Sequence, residues 1–364
     1  MHIPDGYLSP ATCAALYAGS TPFWYVALAR VKKALHTRLV PLLSLFSAFC
    51  FLIMMFNLPL PGGTTGHAVG IGLATVVLGP WAAMLAISVA LIIQSLLFGD
   101  GGITAIGANC FNMAIIGPLV AYACYRLLAH RAPITAFRRV VAAGVAGYAA
   151  INISALFAAV EFGIQPLLYR DATGTPLYCP YPLSVSIPAM MLGHLTIAGL
   201  AELIVSAGVV AFLQRSNPSL LKATAGTVAR NAPESIPVPG VRKLQPLWIG
   251  LGLLMVMTPL GILAAGSAWG EWVASDFASP EIRQQIVGAS LQQPAPSRAP
   301  EGLQQMSQLW TAPFARYAPP YVRNPSFGYF LSAMFGTGFV ILACWTMLRF
   351  MRGFVYRAPE DPMP

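Results

Sequence analysis

Apolar residues fill this chain in long blocks separated by short polar stretches, not at every second position or on one stripe of a helix. The blocks lie near residues 10–29, 39–57, 67–98, 103–125, 140–161, 185–213, 246–268 and 328–348. About 20 apolar residues in a helix cross the ~30 Å hydrocarbon layer of a bilayer. Within that layer, only helices and closed barrels satisfy their own backbone groups. The pattern predicts an all-α, polytopic membrane protein. The block 67–98 contains Gly79-Pro80-Trp81. Proline interrupts the helical ladder and disfavours helix in the residue before it, so this block is either one kinked helix or two segments turning at 79–81.

Charge separates the two alternatives. If the block doubles back, sixteen of the 21 Lys and Arg residues share one face, in clusters from Arg30 to Arg38, Arg126 to Arg139, Arg215 to Lys243 and Arg349 to Arg357. Only Arg170, Arg283, Arg298, Arg316 and Arg323 lie on the other. A single crossing would move the 126–139 cluster across and weaken that bias. Cytoplasmic loops carry the excess of basic residues, so the expectation is nine membrane segments with the N-terminus outside and the C-terminus inside. The half-block 67–78 reaches only about 18 Å as a helix and is expected to be short or re-entrant, backed by protein.

Residues 216–245 are polar and Pro-rich and read as an internal linker. The chain thus divides into a seven-segment module (1–215), a cytoplasmic linker (216–245) and a two-helix hairpin (246–364) with an extracytoplasmic stretch near 270–326 rich in Pro, Gln and Ser.

Composition agrees. Hydrophobic residues make up 57% of the chain and charged residues 9%, against about 25% charged in soluble domains. The net charge of +9 is dispersed between apolar runs, with no aromatic-interleaved basic patch. Membrane lipid is therefore the expected surround, and nucleic acid is excluded as a partner. The six cysteines form no C-x-x-C pair and read as buried, inert thiols; Cys179 falls in an external loop without an evident partner. The first ten residues lack a basic start and a cleavage site, so the chain is expected to keep Met1. No G-x-x-x-x-G-K-[ST] loop occurs, which removes ATP hydrolysis by that route.

The charge-derived orientation puts Met1-His2, the loop 58–66 and His67 on one outer face. A histidine at position two can chelate through the α-amine, the backbone nitrogen of residue two and the imidazole Nδ1, and one further imidazole completes four nitrogens. That square-planar set suits Ni(II) or Cu(II). The Pro-Gly-Gly-Thr-Thr-Gly run before His67 permits close backbone approach, and Pro4-Asp5-Gly6 turns the chain. The bland alternative is a chance histidine after the start and a capping or interfacial histidine at 67.

Other candidates are weaker. Asn109 and Thr104 could orient a ligating imidazole or serve only as cap and turn residues. Asp5 could tie down the N-terminal loop, but capping of the first helix is the favoured reading. Glu202, an intramembrane carboxylate and so a functional candidate by default, lies eight residues after His194. The two could share a helix face as a functional pair or as a polar lock between helices. Met190-Met191 reads as core, and Gly144, Gly147 and Ala150 read as close helix packing.

At these residues the sequence resembles the M components of cobalt and nickel energy-coupling-factor transporters. The resemblance rests on the start Met1-His2-Ile3-Pro4-Asp5-Gly6-Tyr7-Leu8, on Gly66-His67, and on the stretch from Gln94 to Thr104. It continues through Gly107-Ala108-Asn109, Asn112-Met113-Ala114, Gly117-Pro118, Gly193-His194, Gly199 and Glu202. It covers most of 1–215. The run from Ala264 to Trp272 resembles the accompanying N component, here fused, although the Pro-Asp-Gly-Leu-Glu motif common in such tails is missing.

The resemblance implies a seven-segment substrate-binding (S) component. In it the Met1 amine, the His2 backbone nitrogen, His2 Nδ1 and His67 hold Ni2+ or Co2+ as the transported ion, with no catalytic cofactor and no enzymatic activity. It further implies a transmembrane coupling (T) protein and two ATPase subunits as partners, in a bacterial inner membrane. A stand-alone divalent-cation permease is disfavoured because no chain of membrane-buried carboxylates lines a path. A structural membrane subunit that binds no metal is the remaining rival.

Overall fold

The computed structural model of the chain describes residues 1–33, 39–225, 241–264 and 266–353. After a buried N-terminal arm, α1 (Pro10–Lys33) begins where Ser9 Oγ accepts the Thr12 N–H at 3.1 Å, an N-cap contact. Next come α2 (Leu39–Met54) and a short antiparallel hairpin, β1 (Leu58–Leu60) and β2 (Thr64–Gly66), with Leu58 opposite Gly66.

Helices α3 (Ile71–Leu78) and α4 (Pro80–Ile93) are separated by Gly79 at φ 77. That backbone region is open to glycine, and Pro80 starts the next helix without losing a bond. Both ends of the block 67–98 lie together: the His2 ring stands 5.1 Å from the His67 ring, and His2 Nδ1 meets the Asp100 carboxylate. The block therefore doubles back at Gly79, and a single kinked helix is excluded. All eight residues of α3 are buried. At about 1.5 Å per residue it is too short to cross a bilayer, and it is enclosed by protein.

A π turn at Cys110–Ile116 joins α5 (Ile106–Asn109) to α6 (Gly117–Leu128). Then follow α7 (Phe137–Leu168), α8 (Leu183–Gly193) and, after a second π turn at His194–Ala198, α9 (Gly199–Ser216). The small residues expected to allow close packing do so: a Cβ on Gly147 of α7 would lie 2.7 Å from Ser206 Oγ of α9. The C-terminal part contains α10 (Val241–Met257), running into a 3-10 turn at Thr258–Leu263, then the short α11 (Pro280–Ala289) and α12 (Glu301–Met306), and the long α13 (Pro325–Gly353).

Among the described residues, six helices are long and apolar enough to cross a membrane: Pro80–Phe98, Ile106–Leu128, Phe137–Leu168, Leu183–Ser216, Leu244–Leu263 and Pro325–Met351. The other three of the nine predicted segments depart from that standard in different ways. The helix α1 is long enough but interrupted by polar residues, the apolar piece Pro41–Met54 of α2 is shorter, and α3 has only eight residues, all buried in protein.

At the end away from His2, Arg30 lies over the Trp81 ring at 5.0 Å. Arg139 is buried there and donates to Ala132 O at 2.8 Å, Ala225 O at 3.2 Å and the Tyr125 hydroxyl at 3.0 Å. Basic positions at 30 and 139 thus gather at one end of the bundle, as their spacing predicts. Most of the predicted linker, 226–240, lies outside the described residues; its flanks are a 3-10 turn at Pro218–Thr224 and the start of α10.

The stretch 270–326 reads from composition as a solvated loop, but it packs across the end that holds His2. Tyr7 Oη donates to Trp272 O at 2.8 Å, Trp310 Nε1 to Leu96 O at 2.9 Å, and the Phe314 N–H to Leu97 O at 2.9 Å. The Trp272, Phe277 and Tyr317 side chains of this stretch are buried, as is the adjoining Trp269.

Candidate metal centre

The N-terminal arm is threaded into the protein: Met1, His2, Ile3, Tyr7, Leu8 and Ser9 are all buried. Buried backbone groups need partners, and side chains from 100–109 supply them. Asn109 takes both polar groups of Ile3, its Oδ1 accepting the N–H at 2.8 Å and its Nδ2 donating to the carbonyl at 3.1 Å. The Gly102 N–H donates to the same carbonyl at 2.8 Å. Asp5 accepts the N–H groups of Ile103 at 3.1 Å and Thr104 at 2.8 Å, and the Thr104 hydroxyl as well.

The expected capping role of Asp5 is thereby corrected. Helix α1 starts five residues later under Ser9, and Asp5 ties the arm to the 99–104 loop. Glycine makes the approach possible. Gly101 sits at φ 83, and a Cβ there would lie 2.9 Å from Asn109 Nδ2 and 3.6 Å from His2 Cβ.

His67 arrives from the other side, at the end of the β-hairpin. Its Nδ1 lies 3.0 Å from Ala68 O. A carbonyl can only accept, so Nδ1 carries the proton and Nε2 keeps the lone pair. Burial, reinforced by the His2 ring and the N-terminal amine, pushes the imidazole down to about 3, and the ring is neutral at physiological pH. Just past His67, the Glu202 carboxylate accepts the N–H groups of Val69 and Gly70, each at 2.8 Å, and of Gly72 at 3.1 Å.

The expected pairing of Glu202 with His194 does not form; His194 Nδ1 bonds to Met190 O at 2.8 Å. Each side chain is taken up by backbone instead, His194 by Met190 O and Glu202 by the N–H groups of Val69, Gly70 and Gly72.

Two carboxylates not singled out in the sequence complete the centre. Asp100 meets His2 Nδ1 with Oδ1, while its Oδ2 accepts the Tyr317 hydroxyl at 2.6 Å and Gln94 Nε2 at 3.3 Å. Burial alone would raise the Asp100 carboxyl, but His2, His67 and the Tyr317 hydroxyl hold it well below the usual carboxylate range. Glu271, from the C-terminal part, places Oε1 3.2 Å from the Met1 amine and 3.0 Å from the His2 backbone nitrogen. Asp100, Glu271, His67, Arg316 and Tyr317 border a cavity of about 290 Å³.

Thr104 and Asn109, expected as possible supports of the imidazole, have other partners: Thr104 binds the Asp5 carboxylate and Asn109 the Ile3 backbone, while the partner of the His2 imidazole is Asp100. Among the described residues, no group of three or more His, Cys, Asp or Glu side chains converges as a metal site.

A helical membrane protein whose buried N-terminal arm brings two histidines together beneath a C-terminal cover defines the class. The chain belongs to the family described as the cobalt uptake substrate-specific transmembrane region (CbiM), whose profile matches residues 2–220. The fused nickel transport protein NikMN of Rhodobacter capsulatus is 55% identical over 341 residues, 94% of this chain and 95% of that one. The cobalt transport protein CbiM of Ruminiclostridium cellulolyticum is 33% identical over 48% of this chain and 68% of its own. The crystal structure of a truncated transition metal transporter, 52% identical, superposes with a TM-score of 0.55 and covers 58% of this chain and 98% of that one. The chain is a metal transport protein and not an enzyme, and its resemblance to the fused relative extends through the C-terminal part.

Proposed function

We propose that this chain captures nickel or cobalt at the outer face of the membrane, as the substrate-binding subunit of an ATP-driven energy-coupling-factor importer. The ion is held by four nitrogens: the Met1 amine, the His2 backbone nitrogen, His2 Nδ1 and the His67 imidazole. The carrying observation is the 5.1 Å separation of the His2 and His67 rings beside the buried Met1 nitrogen. Planar nitrogen ligation favours Ni(II) and accommodates Co(II), and relatives are named for either ion. Nickel is the preferred substrate in this reading.

Residues 1–215 form the capture module, 246–364 a two-helix module covering it, and 216–245 a cytoplasmic linker. The N-terminus faces outside and the C-terminus inside, in keeping with basic residues at the end away from His2. A transmembrane coupling protein and two ATPases act as partners and drive release.

The test compares nickel and cobalt binding by the purified full chain, and uptake by cells, for four proteins: native, His2→Ala, His67→Ala and a form with a non-cleavable residue before Met1. Each change is expected to abolish high-affinity binding. An extended form that binds like native sinks the chelate. Mass spectrometry of the native chain should find residue 1 as unformylated Met. Uptake that persists without the coupling protein and ATPases refutes the importer assignment.

A further inference from the structure

Glu271 sits where the C-terminal module touches the chelating arm, and its position is rigidly built. Gly270 turns at φ 80, and a Cβ there would lie 3.0 Å from the Phe162 ring. The Glu271 N–H closes a turn on Ala268 O at 3.0 Å. The flanking Trp269 and Trp272 are both buried, and Trp269 Nε1 donates to Ser290 Oγ at 3.1 Å. From this turn one carboxylate oxygen, Oε1, accepts from both nitrogens that the proposed chelate takes from the first two residues. The Met1 end of the pair is almost fully buried and Glu271 is 22% exposed, so solvent screens the attraction only partly.

A metal on those nitrogens replaces one proton of the Met1 ammonium and the His2 amide proton, both of which now point at Oε1 and leave to solvent as the ion binds. At the ~2.0–2.1 Å usual for a metal–nitrogen bond, an ion along those lines would stand about 1 Å from the oxygen. The carboxylate therefore occupies the ion's seat and has to withdraw at loading.

We infer that Glu271 is the positioning residue of the chelating arm. It holds the Met1 amine and His2 amide in claw form before the ion arrives and then yields to it; without this anchor the arm has to be ordered at each binding event, which slows loading more than displacing the carboxylate does. This rests on the chelate reading above.

The experiment uses the full chain in detergent with the near-isosteric Glu271→Gln variant. Nickel association is expected to slow at least tenfold in a stopped-flow experiment, while the ligand-field band of the bound ion stays unchanged, because the four nitrogens remain the ligands. In the metal-free variant, an N-hydroxysuccinimide ester at neutral pH should acylate the Met1 amine at least tenfold faster than in native protein, with the thermal unfolding midpoint unaltered. Native-like or faster nickel association overturns the inference, and so does native-like acylation. A shifted band also overturns it, by making Glu271 a ligand. If His2→Ala binds nickel like native, the chelate reading itself fails; if His2→Ala abolishes binding while Glu271→Gln loads normally, only this inference fails.

Discussion

Glu202 reaches from α9 to Gly70, three residues past His67, and accepts its backbone N–H at 2.8 Å. With the bonds to Val69 and Gly72, this carboxylate satisfies the start of α3 and fixes the direction in which His67 enters the site. Glu202→Gln keeps the shape, but its amide nitrogen cannot accept, so at least one buried N–H loses its partner at a cost of about 1–3 kcal/mol. Residues that orient a metal ligand typically affect affinity by about 10–100-fold. Nickel affinity in Glu202→Gln, read by titration calorimetry, is expected to fall within that range. Native affinity in this variant would show that His67 does not depend on Glu202.

Asn109 offers a second lever on the site, from the opposite side. It is the only side chain among the described residues shown bonding both the N–H and the carbonyl of Ile3, and so it fixes the backbone leaving His2. Asn109→Leu removes both partners and strands the Ile3 N–H in a buried position. The expected result is at least tenfold weaker nickel binding together with about 1–3 kcal/mol lost stability, measured by titration and by thermal unfolding. Loss of stability without loss of affinity would assign Asn109 to the fold alone.

Gly101 combines two constraints, a left-handed backbone at φ 83 and contact with both Asn109 and His2. Gly101→Ala adds backbone strain of order 1 kcal/mol and drives a methyl toward the Asn109 amide. Nickel binding should weaken more in this variant than in Gly174→Ala, where φ is also positive but no neighbour lies within 4 Å of the added Cβ. Equal effects on binding would reduce Gly101 to a turn residue.

Much of this arrangement can be read from sequence because its signals are local or statistical. Gly79-Pro80 marks the break between α3 and α4, and the arginine clusters then require the chain to double back there, which brings His67 to the side of His2. The limits are equally physical. Asp100 and Glu271 meet the arm across 98 and 269 residues, and neither has a periodic or spacing signal that points to its partner. The stretch 270–326 is rich in Pro, Gln and Ser, which masks the buried Trp272, Phe277 and Tyr317 that bind it down. The His194–Glu202 spacing misleads because backbone groups, which leave no residue-type signal, take both side chains: Met190 O for His194 and the N–H groups of Val69, Gly70 and Gly72 for Glu202.

Cys179 provides a probe of the arm that needs no metal. Its N–H donates to Tyr7 O at 3.0 Å, and the side chain is fully buried. Burial pushes the thiol up to about 12. The thiolate is the reactive form, so at pH 7 only on the order of one molecule in 10⁵ carries it. In the native chain, a maleimide should leave the peptide containing Cys179 unlabelled over hours, as read by mass spectrometry, while labelling it within minutes after unfolding. Tyr7 lies on the arm, with its hydroxyl on Trp272 O, so Tyr7→Ala loosens the arm and opens the space above Cys179. Labelling in Tyr7→Ala should rise at least tenfold under native conditions. Rapid labelling of the native chain would mean that the arm does not stay seated; unchanged labelling in Tyr7→Ala would mean that Cys179 is shielded by other contacts.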